Sequence, residues 1–559
     1  MSKTGSNGFS KLGLSRRDFL ATGLAAMSVE SMAIAAPSGA KGTGANNLET
    51  TPSAPFDTLR DYIAAMEAHG QVVRLPEVDQ DAYEMTALMY RLMDDYGMFG
   101  APIIIAERIK IDGRWVQGPV IGNVMGPWEA EAITFGLDIV PYDGVSTYRK
   151  AKAHFTEILK QNGGNYPQIA PVEVPADRAG CKEVILRGDD IDLTKFPFLQ
   201  SNPGDAGRYI NTGSVFTKDP EMGFNFGTYR CQLRGPREIG VNPEPNQTGW
   251  RMLMAARERG EETARVSIAL GQDPIVWMMS GARIAGRRRG GKDPVDELAI
   301  AGGFRGKPLE VIRSETNDML VPAQAEMIIE GDVNLTEWKS EGPFGEMYGY
   351  LGRKKDQNFW MKVTAVTHRQ DPWFMNSFTG VVRGHVRAPL DAFSLMNIQK
   401  TLPEVVDYFA PNDAAGVILV AIKKTEVGQG LKVGRHIAET IPIAKILIVV
   451  DDDLDVTNRT DMVFALGSRW QPYSGSHIYK ELQGMALDPS VPSQRSGPTR
   501  PQRPMTNKIA IDATRQWPEE GGPAIYPELS RALLEQGAPE SFTRAEAKWG
   551  EIIRNWAKS

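Results

Sequence analysis

The sequence predicts a mixed α/β and β fold, with an α/β domain at either end and an antiparallel barrel or sandwich between them. Three observations lead there. Residues 56–170 alternate helical and strand patterns. Residues 171–370 read as short strands separated by Gly, Pro and Asp turns. Residues 371–559 return to apolar runs alternating with helices. At 559 residues and 42% hydrophobic, the chain can fill two or three cores of this kind.

In chain order, the first segment is for targeting. Ser15-Arg-Arg-Asp-Phe-Leu20 resembles a twin-arginine export signal, and a mildly apolar stretch follows to Ala36. A periplasmic location is expected, with an unstructured basic tail on a cytoplasmic protein as the alternative. Residues 1–36 carry four basic and two acidic side chains, so cleavage would take the net charge from −6 to −8. Residues 37–55, rich in Gly, Ala, Asn and Pro, read as a linker.

Leu59, Tyr62, Ile63 and Met66 repeat at helical spacing, and Gly70 is placed to close that helix. A strand at Gln71–Leu75, a helix at Tyr83–Tyr96 and a buried strand at Pro102–Ala106 follow. In the middle, Glu183–Leu186, Ile210–Phe216, Phe224–Leu233 and Val266–Leu270 are strand-like, with a helical run at Met252–Arg259. Gly416–Ile422 and Ala444–Val450 read as parallel strands, with helices at Leu431–Thr440 and Asp461–Ser468. Asp488–Pro504 reads as a loop. Ser541–Lys558 is an amphipathic helix whose apolar side, Trp549, Ile552, Ile553 and Trp556, is expected to pack on another domain or subunit.

Composition narrows the function. A net charge of −6 gives no reason to expect nucleic acid, and no apolar run of about 18 residues predicts a membrane span. Two cysteines cannot build a disulfide framework. There are six histidines and no His-Glu-x-x-His, Gly-x-Ser-x-Gly or Cys-x-x-Cys, which disfavours a zinc or serine hydrolase.

The most suggestive stretch is Trp338–Tyr350, where Gly342, Pro343 and Gly345 separate Glu341 from Glu346. Five residues span about 140° of a helix, or opposite faces of a strand, so only a turn aims both carboxylates at one point. Gly-Pro-x-Gly can supply that turn, and converging carboxylates can be driven to different pKa values. A solvated turn with two surface acids is the alternative.

Asn225-Phe-Gly-Thr-Tyr-Arg230 offers an amide oxygen to a hard cation and a guanidinium to a carboxylate. Both can face one site only if Gly227 permits a bulge. Glu297 opens an apolar helical turn, where it could bind metal or merely complement the helix dipole. Gly428-Gln-Gly-Leu-Lys432 is a glycine-flanked helix start with a lysine, a seat for phosphate. Arg287–Lys292 reads as an exposed loop, and Asp451–Asp455 as a solvated strand end, with a cation site as the alternative. Arg383, His385 and Arg387 could line a pocket for a hydroxylated or doubly acidic aromatic, or belong to a surface loop.

Taken in order, Asn-x-Gly-x-x-Arg, Glu-x-x-x-Ala-Gly-x-x-Arg-Gly, Glu-Gly-Pro-Phe-Gly-Glu and Gly-x-Lys before Val-Val-Asp-Asp-Asp resemble the UbiD family of prenylated-flavin-dependent decarboxylases, across about residues 56–480. The resemblance implies an N-terminal α/β domain, a central split β-barrel that binds prenylated FMN, and a C-terminal α/β dimerisation domain. It implies reversible decarboxylation of an aromatic or α,β-unsaturated acid, with the flavin as electron sink. Arg230 and Glu341 would orient the substrate carboxylate, Glu341 staying ionised, and Glu346 would deliver the proton. Asn225 and Glu297 match ligands of a divalent metal, usually Mn²⁺. The motif around Gly227, Thr228, Tyr229 and Arg230 would contact the cofactor, and Lys432 its phosphate; K⁺ is a further possible ion. A flavin prenyltransferase is implied as cofactor supplier, and a homodimer or larger homo-oligomer as the assembly. The family's third metal ligand is a histidine, in a region that here reads Pro245-Asn-Gln-Thr248, so Asn246, Gln247 or water would take its place. That departure leaves a catalytically silent flavin- or metal-binding protein as the alternative. Nothing in the chain suggests the sugar cleft of a carboxylate-pair glycosidase.

Overall fold

The computed structural model describes residues 51–245, 247–282, 284, 296–491 and 504–558. The twin-arginine segment, most of the linker, Asn246, the Arg287–Lys292 run and most of the 488–504 loop lie outside the described residues.

The first helix, Leu59–Ala68, starts where Thr58 accepts a hydrogen bond from the Asp61 N–H and buries Leu59, Tyr62, Ile63 and Met66. Gly70 follows its end at φ +71°, as its position predicts. Strand Val72–Asp79 pairs parallel with Ile103–Ile111, which pairs antiparallel with Arg114–Gly122. The fourth strand of this sheet, Phe374–Asn376, comes from beyond the central region and pairs parallel with Arg114–Gly122. A helix not read from the sequence, Gly144–Gln161, is capped by Asp143 and buries Tyr148, Phe155 and Leu159.

The central region is one antiparallel sheet of ten strands. In hydrogen-bonded order these are Tyr209–Ile210, Cys231–Gly235, Glu238–Val241, Lys355–His368, Met327–Asn334, Thr263–Leu270, Ser214–Asp219 and Gly223–Thr228. Val184–Arg187 and Lys339–Glu341 also pair with Lys355–His368. Among the described residues this path has two ends and does not close into a barrel. Helices Thr248–Glu258 and Pro274–Gly281 pack on the last two strands of this path, Ser214–Asp219 and Gly223–Thr228.

The C-terminal sheet runs Val405–Phe409, Val417–Ile422, Ile446–Asp451, Met505–Asp512, Ser476–Gln483. Its three middle strands are parallel and its two edges antiparallel. One apolar core joins the first helix, Gly144–Gln161, Pro274–Gly281 and the C-terminal strands; a second fills the central sheet. Helix Ser541–Lys558 forms as expected, but Trp549, Ile552 and Ile553 stay 51–63% exposed, so the described residues do not cover them. No described helix is long and apolar enough to cross a membrane.

Candidate active site

The predicted strand Phe224–Leu233 breaks in two, and the break builds the site. Tyr229 turns inward after Gly223–Thr228 and is 4% exposed. Its ring lies between two bare glycines: a Cβ on Gly227 would sit 2.7 Å from the Tyr229 hydroxyl, and one on Gly249 2.6 Å from it. The Gly249 N–H donates to that hydroxyl at 3.1 Å. Gly227 is therefore required by Tyr229 itself. Arg230, the next residue, bridges to Asn242 and begins strand Cys231–Gly235.

The Arg230 guanidinium meets both glutamates of the Gly-Pro turn. Its Nε and Nη2 donate to the two oxygens of Glu341 at 2.8 Å each, a bidentate pair, and Nη1 donates to Glu346. Gly342 adopts φ +77°, which only glycine takes readily, and reverses the chain after Glu341. Glu346 N–H then bonds the Tyr350 carbonyl and Gly352 N–H the Phe344 carbonyl, closing the turn. A Cβ on Gly352 would lie 2.7 Å from the Glu346 Cγ and Oε1, so its absence leaves that side chain its space. Phe344 packs against Tyr209 at 4.3 Å, with the Arg230 guanidinium 5.3 Å from its ring centre.

The electrostatics separate the groups. Burial works against the charge of Arg230, but Glu346 and Glu341 outweigh it and keep the guanidinium cationic. Burial holds the Glu346 carboxyl above its ordinary range; Arg230 opposes this and the nearby Glu244 adds to it. Tyr209, whose hydroxyl donates to Glu341 at 3.2 Å, is held protonated by burial and by Glu341.

A second cluster lies beyond Tyr229. Asn225, 7% exposed, donates to the Tyr229 hydroxyl at 3.5 Å. The neighbouring Phe226 N–H donates to the Glu297 carboxylate at 3.2 Å. Asp296, one residue earlier, caps helix Glu297–Arg305 through the Leu298 and Ala299 N–H groups, which leaves Glu297 free of that role. Burial pushes Glu297 up to about 7. Thr228 bonds the Ser280 hydroxyl at 2.7 Å.

Not every expected residue joins. Lys432 stands exposed on helix Gln429–Thr440, paired with Glu426 at 2.7 Å, with no contact to the Arg230 cluster. The Gln247 side-chain oxygen accepts from the Glu244 N–H at 2.6 Å, a turn that occupies it. The pocket reading of Arg383 and Arg387 is corrected, as is the surface-loop alternative. Arg383 is buried against Glu131 and the Gly126 and Pro127 carbonyls, and Arg387 bonds Asp391. Buried guanidiniums are matched by carboxylates or carbonyls, and here both serve packing. His385 lies over Gly281, and burial lowers it to about 4. Both cysteines are free and buried. Tyr209, Glu244 and Lys355 are site neighbours that sequence reasoning missed. Lys355 bonds Glu244 and, at 2.8 Å, the Asn242 side-chain amide oxygen; against burial, Lys355 with Arg230 and Asn242 keeps Glu244 below its ordinary range.

Comparison with known proteins agrees with this arrangement. Residues 172–382 match the 3-octaprenyl-4-hydroxybenzoate carboxy-lyase Rift-related domain, and residues 385–513 match the C-terminal domain of the same family. An uncharacterised protein of Archaeoglobus fulgidus is 28% identical over 510 residues, covering 89% of this chain and 98% of its own. The open form of Sedimentibacter hydroxybenzoicus vanillic acid decarboxylase superposes with a TM-score of 0.71 at 25% identity, covering 89% of this chain and 99% of that one. An evolved dimeric form of the UbiD-class enzyme HmfF of Pelotomaculum thermopropionicum, in complex with prFMN, gives 0.68 at 25%, covering 85% and 97%. With both domains matched in order around the Arg230 cluster, the chain belongs to the UbiD family and is a carboxy-lyase.

Proposed function

We propose that this protein carries out reversible, non-oxidative decarboxylation of an aromatic or α,β-unsaturated carboxylic acid with bound prenylated FMN, Glu346 serving as proton donor. The observation that carries this reading is the pairing of one buried guanidinium with two glutamates, of which Glu346 is held up by burial.

Removing CO₂ from an sp² carbon leaves an electron pair that no side chain absorbs, and prenylated FMN, when bound, supplies the sink. HmfF, solved in complex with prFMN, supports a flavin, and the vanillic acid decarboxylase supports an aromatic substrate. The donor set fits a phosphorylated cofactor with a hard divalent cation. Asn225 offers an amide oxygen, and among the described residues no cation lowers the raised Glu297 carboxyl. These two residues would hold Mn²⁺; among the described residues no His/Cys/Asp/Glu group of three exists to complete a protein-only site.

Among the described residues, three of the five N–H groups of Arg230 meet Glu341 and Glu346, which leaves two for a substrate carboxylate. Protonated Glu346 gives its proton to the carbon that has lost CO₂. Arg230 then stabilises the carboxylate left behind, so both protonation states have a partner. In the carboxylation direction Glu346 takes the proton back. Export by the twin-arginine route, which carries folded proteins, suits a chain that is loaded with its flavin before it leaves the cytoplasm. The central sheet, open between its end strands, is read as the family's split barrel. A homodimer completes the assembly.

The test is co-expression with a flavin prenyltransferase, followed by a screen of aromatic and cinnamic-type acids for CO₂ release and for exchange of labelled bicarbonate. Release from any of them supports the proposal. Bound flavin and metal with no exchange on any acid would favour the silent binding protein instead, in keeping with the missing third ligand.

A further inference from the structure

The turn that carries Glu346 is closed by its own backbone hydrogen bonds and is also held from outside. The segment 204–209, leading into strand Tyr209–Ile210, runs alongside it and contacts it at four points. Asp205 Oδ1 accepts the Gly345 N–H at 2.9 Å, one residue before Glu346. Ala206 N–H donates to the Pro343 carbonyl at 2.8 Å. Tyr209 donates to Glu341 at 3.2 Å. Gly204 brings its backbone against Leu351: a Cβ there would lie 2.8 Å from the leucine Cδ2.

The segment is anchored from both sides. The Ala206 carbonyl accepts from Gln232, two residues beyond Arg230, at 2.7 Å. Its other end is tied to the N-terminal domain: Thr86 donates to the Ser201 carbonyl at 2.7 Å and Gln80 to the Gln200 carbonyl at 2.9 Å. Asp205 is 7% exposed, and its second oxygen accepts the Asn202 N–H at 2.9 Å. A buried carboxylate accepting two backbone N–H groups fixes both strands of chain it touches, and bonds to a charged acceptor are the stronger kind. A cavity bordered by Asp205, Phe344, Gly345 and Leu351 adjoins the contact, so the turn has room to shift once the bond is cut.

We propose that Asp205 is a positioning residue for the proton donor: by holding the Gly345 N–H it sets where the Glu346 carboxyl stands relative to Arg230, and it ties that placement to the N-terminal domain. This rests on the decarboxylase reading for its catalytic meaning. Asp205 touches neither substrate nor flavin in this account, so its removal acts on the proton step and leaves binding alone. Displacing a catalytic group by about 1 Å lowers rate by the order of 10²-fold.

The experiment uses flavin-loaded wild type, Asp205→Ala and Asp205→Asn. Amide exchange is read over residues 343–352 by mass spectrometry, alongside kcat, KM and the incorporation of deuterium from D₂O into the product C–H. Asp205→Ala is expected to exchange faster over 343–352, with kcat and deuterium exchange both down ~10–100-fold and KM within about twofold. Asparagine keeps an oxygen for Gly345 and turns its amide toward Asn202, so Asp205→Asn should fall between the two. Unchanged exchange over 343–352 in both variants overturns the proposal, as does faster exchange at wild-type kcat. If Asp205→Ala loses its flavin or fails to fold, Asp205→Asn decides by the same readings. A wild type that releases CO₂ from no acid removes the function reading and the catalytic role with it, while the exchange comparison still decides the clamp.

Discussion

Replacing Arg230 with methionine removes the cation from between two buried glutamates. The Glu341 side chain is fully buried and that of Glu346 only 12% exposed, so neither can turn to water without breaking the turn. Three charge-assisted hydrogen bonds at about 1.5–3 kcal/mol each would overshoot if summed, because the two at Glu341 act as one bidentate unit. Breaking a buried ion pair from one side costs about 3–5 kcal/mol, and ~4 kcal/mol is the expected loss at pH 7.5. For a chain of this size, unfolding cooperatively, that is roughly 4 °C in Tm. The loss should shrink as pH falls, since a protonated carboxyl needs no counter-ion. Adding Glu341→Gln to the Arg230→Met background removes one orphaned charge, keeps an acceptor for Tyr209, and should restore ~2 kcal/mol. Thermal and urea unfolding of the flavin-free proteins at pH 5 and 7.5 reads all of this. A methionine variant as stable as wild type at pH 7.5, or a double variant weaker than the sum of the singles, would refute the shared-guanidinium argument.

Three further outcomes follow from the same geometry. The decarboxylation rate should hold on the acid side and fall as pH rises through the raised Glu346 value, because the protonated carboxyl is the reacting form; a rate that rises over that limb would assign the proton elsewhere. Substituting Trp549 and Ile553 with serine should shift sedimentation toward monomer with little change in Tm, since the described residues leave both exposed; an unchanged sedimentation profile would remove that helix from the interface. Changing Arg16 and Arg17 to lysine should move the protein from the periplasmic to the cytoplasmic fraction, and equal periplasmic recovery would rule out the twin-arginine route.

Local patterns were legible wherever one residue's neighbours decide its conformation. The 59–68 helix, its glycine stop and the parallel strands around 417 and 446 follow from apolar spacing and caps. The break in strand 224–233 leaves no local pattern because it depends on Gly249, twenty residues beyond Tyr229, making space for the Tyr229 ring. Glu297 is not the cap because its neighbour Asp296 holds the helix N-terminus, a choice between adjacent acids that spacing does not make. Arg383 looked like a pocket residue because its partner, Glu131, is 252 residues away. The same distance effect hid Glu244 and Lys355, which meet across 111 residues with no spacing signal. The two glutamates of the Gly-Pro turn converge on Arg230 as the motif order implied, though the segment that holds the turn in place left no trace in the pattern.

The central claim is tested most directly by single-turnover decarboxylation in D₂O with flavin-loaded wild type and Glu346→Gln, at matched flavin content. The account predicts wild-type product carrying one deuterium at the carbon that lost CO₂, and a Glu346→Gln rate for both CO₂ release and C–H exchange lower by ~10²-fold or more. Glu346→Gln turning over and exchanging at the wild-type rate would contradict it.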